Sequence, residues 1–223
     1  MLKELIEKSG TIIFDCDGTL LNSMPMWDHV GTDYILSQGI TPPEDMEEKL
    51  ISKTLEQSGE YYIRELGLQK TVEEYLREIY AFVDDKYRHE LELKPGAKEF
   101  VRKMSDLGKQ MCILTTTGRP CVEAAMGNHG IDAWIPFSKI YTCGELKMSK
   151  TTPDIYRYTA KQMGVSVSDV LVFEDAPFAI QNAKTAGCSV VSVYDRTAQP
   201  QESLIEQYAD CRIRDFTEAL ACF

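Results

Sequence analysis

The 223-residue sequence predicts an α/β fold: a doubly wound parallel sheet with an inserted helical module. Three observations carry that prediction. Short apolar runs bounded by turn residues recur along the chain, as expected of strands buried on both faces of a parallel sheet. Helical patterns separate these runs, which places helices on both faces of the sheet. One long stretch, residues 20–92, carries helical patterns and no convincing strand.

The first run is Thr11–Phe14, within TIIFDCDGTLLNS. Asp15 and Asp17 stand at its end, and Gly18 allows a tight path after them. In the long stretch that follows, residues 22–37 and 54–66 suit helices. Thr71 with Glu74 reads as a capping box. Val72, Tyr75, Leu76, Ile79, Tyr80, Val83 and Tyr87 then form one apolar stripe. The insertion begins where the carboxylate pair ends, which favours a separate module. The division expected is therefore 1–19 with 93–223 as an α/β core, and 20–92 as the helical module.

The core pattern resumes after LKPGAKEF. Ala97, Phe100, Val101, Met104 and Leu107 follow helical spacing, and Gly108 sits where the helix should stop. Residues 111–114, 170–173 and Ser189–Val193 read as the next buried strands. In TTPDIYRYTAKQMG, Thr152 is the expected N-cap, Pro153 the first helical residue and Gly164 the stop.

Bulk properties exclude several functions. The formal charge of −11 argues against nucleic acid as a main partner, because phosphate backbones need clustered Lys and Arg. No run approaches the length of a membrane span, and MLKELIEKSG lacks the apolar region of a signal peptide. The seven cysteines are scattered without a C-x-x-C pair, which fits free thiols in a reducing cytoplasm better than a disulfide framework. His29, His89 and His129 lack zinc-type spacing.

The chemistry gathers after the strands. Two carboxylates at one strand end repel each other unless a hard cation sits between them. Mg²⁺ prefers one or two carboxylates, waters and phosphate oxygens. Glu174 and Asp175, in LVFEDAPFAI, follow another buried strand, so Asp175 can complete a metal site with Asp15. A calcium loop is excluded, since Thr19 and Leu20 occupy its fifth and sixth positions. Thr115, Thr116 and Thr117, in CILTTTGRP, offer a hydroxyl and N–H groups for a phosphate oxygen. Lys150 is a point charge suited to phosphate or to a carboxylate nucleophile. Each piece alone has a plainer role as turn, loop or surface charge. Their joint placement after strands points to one site.

With these residues in place, the chain resembles the haloacid dehalogenase superfamily, with a Rossmann-like core. DCDGTL resembles its first motif, Thr115 its second, Lys150 in KTTPDIY its third, and Glu174–Asp175 its fourth. The helical module is similar to the cap of the branch that includes phosphoglycolate phosphatase and β-phosphoglucomutase. The chain departs from the pattern at Thr151, where Pro is usual, at Asn22, where Asp is usual, and at Ala179, where Gly is frequent. Lys147 stands three residues before the motif lysine.

The resemblance implies a Mg²⁺-dependent phosphatase acting on a small phosphorylated metabolite, of sugar-phosphate or phosphoglycolate type, through an aspartyl-phosphate. Asp15 would be the nucleophile and Asp17 the general acid and base. Mg²⁺ would be held by Asp15, Asp175 and the backbone carbonyl of Asp17. Thr115, the amide of Thr116 and Lys150 would hold the transferring phosphate, and Glu174 would act through the metal's waters. A carboxyl at Asp17 favours phosphoester chemistry over carbon–halogen cleavage. A phosphoglucomutase-like phosphotransferase is the alternative, but it would need extra cations in the cap, where Lys53 and Arg64 read better as surface charges. A non-catalytic binding protein is the third reading, against which stand four motifs with competent residues. Met24, Met26 and Trp27 read as packing, Arg119 as a solvent-facing charge near a helix start, and Cys16 as core. The oligomeric state is not readable from the sequence.

Overall fold

The computed structural model describes residues 1–50 and 53–223. The chain divides into two compact units, Met1–Ser23 with Leu91–Phe223, and Met24–Glu90. The first is the α/β unit. Its six parallel strands are β1 (Thr11–Phe14), β2 (Gln110–Thr115), β3 (Ile140–Thr142), β4 (Val170–Glu174), β5 (Ser189–Val193) and β6 (Cys211–Ile213). They lie in the order β3-β2-β1-β4-β5-β6. The chain therefore builds outward from β1 on one side, then returns to build outward on the other. Phe14 is in register with Ile113 of β2 and Phe173 of β4. The carboxyl ends of β1, β2 and β4 thus lie side by side at the point where the strand order reverses, where ligands of such sheets bind.

Strand alternation sends successive side chains to opposite faces. On one face Phe14 stacks on Phe173 at 5.3 Å, and Phe100 and Phe216 close the aromatic cluster at 5.1 Å. On the other, Ile13, Leu114 and Val172 pack with Ile155, Tyr156 and Ile180. The predicted strands are all present. The sequence reading missed β3 and β6, because three residues are too few to show a period. It also missed the helix Leu2–Lys8, whose Leu2 and Ile6 are buried one turn apart.

Gly108 and Gly164 follow their helices in the left-handed conformation, at φ 72° and 75°. The third-motif helix starts later than expected, at Asp154 with Pro153 as its N-cap. Thr152 does not cap it; its hydroxyl donates instead to the Ser149 carbonyl.

The helical unit holds Met24–Ser37, Met46–Leu50, Leu55–Glu65 and Val72–His89. Thr54 and Thr71 both form complete capping boxes, with Gln57 and Glu74. The buried stripe of Val72–His89 is Tyr75, Ile79, Val83 and Tyr87. Tyr80 is exposed, because five residues after Tyr75 it lies about 140° around the helix. Tyr34, Tyr62 and Tyr75 pack edge to face at 5.3 and 5.5 Å. Trp27 donates its indole N–H to Tyr87 at 3.1 Å.

The units change over a few residues inside the boundaries read from the sequence. In the α/β unit, Asn22 N–H donates to the Glu92 carbonyl and Lys94 N–H to the Leu20 carbonyl, so the outgoing and returning segments pair with each other. Every cysteine is a free thiol. No helix among the described residues is long and apolar enough to cross a membrane.

Candidate active site

The acidic groups and Thr115 are delivered at or just after strand ends, and Lys150 by the turn before the helix Asp154–Gln162. Asp15 follows β1 directly, and its N–H donates to the Phe173 carbonyl at 2.9 Å, which ties it to β4. Gly18, at φ 78°, turns the chain so that its N–H donates to the Leu21 carbonyl. Glu174 ends β4 and Asp175 follows it. Thr115 ends β2 and is fully buried.

Asp15, Glu174 and Asp175 present carboxylate oxygens within 4.8 Å of one another, and all three side chains are buried. Lys150, only 3% exposed, reaches into this group. Its ammonium donates to Asp15 and, at 2.8 Å, to Glu174. Glu174 also accepts the Ala176 N–H at 3.2 Å, and Thr19 donates its hydroxyl to Asp175 at 3.3 Å. Lys147 is exposed, so Lys150 is the lysine of the cluster. Glu174, expected to act at one remove, lies within the acidic group itself.

Three carboxylates against one ammonium leave a formal excess of two negative charges in a buried volume. Burial, and next the Glu174 charge, push the Asp15 carboxyl up to about 7, although Lys150 pulls the other way. Burial, and next the charges of Asp15 and Glu174, raise Asp175 as well, with Lys150 opposing. For Lys150 burial favours loss of its proton, but the Asp15 and Glu174 charges prevail and hold it well above its ordinary value. A dication coordinated by hard oxygens would cancel the excess, so these residues could hold a divalent cation.

Asp17 stands outside this group. Its two oxygens accept hydroxyl hydrogens from Ser23 at 2.7 Å and Thr117 at 2.6 Å. The Thr117 N–H donates to the Thr115 hydroxyl oxygen at 3.0 Å, and Thr116 lies exposed between them. Cys16 is fully buried, its thiol pushed up by burial and then by Asp17 and Asp15, so it is core. Arg119 is not solvent-facing as expected. Its guanidinium grips Glu145 at 2.7 and 2.8 Å, Glu123, and the carbonyls of Phe137 and Ile140.

Sequence reasoning missed the roles of Thr19, Ser23 and Thr117. Thr19 and Ser23 lie inside the first motif's own segment. Thr117 is 100 residues from Asp17, and only the pairing of β1 with β2 brings them together. It also missed a buried ion pair, Lys94 to Asp195 at 2.8 Å.

A doubly wound α/β unit thus gathers a carboxylate group and a lysine at its switch point, a setting that can hold a cation beside an anionic ligand. The family model described as Haloacid dehalogenase-like hydrolase matches residues 12–193. The chain belongs to that family. A probable pseudouridine-5'-phosphatase of Drosophila melanogaster is 30% identical over 211 residues, covering 91% of this chain and 90% of that protein. Hexitol phosphatase A of Escherichia coli is 25% identical over 182 residues, 81% of each chain. Among solved structures, a family IA hydrolase from Entamoeba histolytica superposes with a TM-score of 0.74 at 22% identity, over 93% of this chain and 94% of that one. CbbY from Rhodobacter sphaeroides, in complex with phosphate, gives 0.71 at 21% identity, over 94% and 96%. These two likenesses bear on the fold, whereas the sequence relatives place the chain among the phosphoric monoester hydrolases of the family.

Proposed function

We propose that this chain is a Mg²⁺-dependent phosphatase that hydrolyses a small phosphorylated metabolite through an aspartyl-phosphate. One observation carries the reading: Asp15, bound to Lys150, shares a buried site with Glu174 and Asp175 while a second carboxylate, Asp17, stands two residues on. Asp15 attacks phosphorus in line and Lys150 holds it in position. Asp17 gives a proton to the leaving oxygen, then takes one from the attacking water. The Thr115 hydroxyl oxygen already accepts an N–H, so its own proton is available to a phosphate oxygen. The amide of Thr116 and the Lys150 ammonium complete the phosphate cradle. Asp15, Asp175 and Glu174, with the Asp17 carbonyl, would hold Mg²⁺. When bound, Mg²⁺ offsets the repulsion between nucleophile and phosphate and bears developing charge.

The substrate class is a phosphorylated sugar or polyol, and the 30% relative makes a pseudouridine 5'-phosphate the first compound to assay. The helical unit takes the part of the cap that selects among such substrates. The free thiols support a reducing, cytoplasmic setting.

The test is a screen of phosphorylated metabolites, among them phosphoglycolate and glucose 1-phosphate, with Mg²⁺ and with a chelator. Phosphate release that needs the cation is expected. Transfer to a sugar hydroxyl without release would favour the mutase. Asp15→Asn keeps the shape and removes the nucleophilic charge, so turnover should vanish while the circular dichroism spectrum is retained. Wild-type turnover in that variant would reject the covalent route.

A further inference from the structure

We propose that Thr117 is a positioning residue for the acid–base carboxylate, a reading that rests on the phosphatase function above. The Ser23 and Thr117 hydroxyls both donate to the oxygens of the Asp17 side chain. Ser23 takes Oδ1, and Thr117, at 2.6 Å, takes Oδ2. Thr117 is itself anchored. Its N–H is held by the hydroxyl oxygen of Thr115, the fully buried last residue of β2. Its branched Cβ restricts the rotamers that the hydroxyl can adopt. The orientation of Asp17, on the loop after β1, is therefore set from the neighbouring strand.

The hydroxyl acts where charge changes. In the first half-reaction an Asp15 oxygen bonds to phosphorus as the ester P–O bond breaks. Asp17 passes its proton to the departing alkoxide and becomes a carboxylate. In the second half a water oxygen bonds to phosphorus, the Asp15–phosphorus bond breaks, and Asp17 takes the water's proton. Phosphate leaves and both carboxyl groups return to their starting states. Thr117 exchanges no proton. Its hydrogen bond strengthens as negative charge develops on Asp17, so it favours proton donation in the transition state more than in the ground state.

This assigns Thr117 a leaving-group signature that general structural support would not produce. An alkoxide needs the proton from Asp17, whereas p-nitrophenolate leaves without it. The ratio kcat/KM, which follows the first half-reaction, is to be measured for an alkyl phosphate and for p-nitrophenyl phosphate in wild type, Thr117→Val and Thr117→Ser. Thr117→Val should lose about 10- to 100-fold on the alkyl ester, the loss of one charge-assisted hydrogen bond, and much less on the aryl ester. Thr117→Ser, which keeps the hydroxyl, should recover most of the alkyl activity. Equal losses on the two esters, no loss on either, or a serine variant as slow as the valine variant would overturn the assignment while leaving the phosphatase reading intact. A wild-type chain inactive on both esters would refute the two together. If Thr117→Val does not fold, Thr117→Ala makes the same comparison.

Discussion

Acidification should drive a divalent cation from the Asp15–Glu174–Asp175 group at a pH far above that at which ordinary carboxylates protonate. The Asp15 carboxyl is pushed up to about 7, by burial first and by Glu174 next. A cation bound above that value competes with no proton on Asp15. Below it, each cation must displace at least one, and apparent affinity falls about tenfold per pH unit for each proton displaced. Between pH 7 and pH 5 this amounts to about 100-fold for a single proton. The raised Asp175 carboxyl makes the dependence steeper. Calorimetric titration with Mg²⁺ at pH 5, 6, 7 and 8, in paired buffers of different ionisation enthalpy, gives both the affinity and the protons released. Constant affinity between pH 5 and 7 with no proton release would refute the charge argument. The same shift fixes a sign for stability. Without cation, native Asp15 binds a proton that the unfolded chain has given up, from its ordinary value of 3.8 to about 7. Stability should fall as pH rises through that window, and added Mg²⁺ should restore it most above about 7.

Two further perturbations test the scaffold. Lys94→Met leaves Asp195 buried without its partner, so urea unfolding should show a loss of about 3–5 kcal/mol at neutral pH. The Asp195 carboxyl is lowered, with burial opposing and the Lys94 and Thr197 hydrogen bonds prevailing. Its stabilisation is therefore present above pH 3.8, and acid titration should remove it only below that value. Gly59→Ala would put a Cβ 2.5 Å from Cδ1 of Tyr75, so the helices of the second unit must shift. A loss of about 1–3 kcal/mol is expected, read as a lower melting temperature and a changed near-ultraviolet signal from the tyrosine cluster.

The α/β class, four of the six strands, the helical character of the inserted module with its Thr71 cap, and the placement of Asp15, Asp17, Thr115 and Asp175 after strands were readable in one dimension. Strand burial, helix capping and strand-end chemistry are local properties, written in runs of a few residues. What tertiary structure alone decided is which oxygens meet. β1 lies between β2 and β4, and that order brings residue 15 beside residues 174 and 175, and residue 117 beside residue 17. Glu174 joined the acidic group directly, Arg119 became a clamp on Glu145, and Lys94 found Asp195, none of which spacing along the chain encodes. Such contacts depend on strand order and register, and those follow from how the whole apolar surface is buried, a property that no short segment possesses.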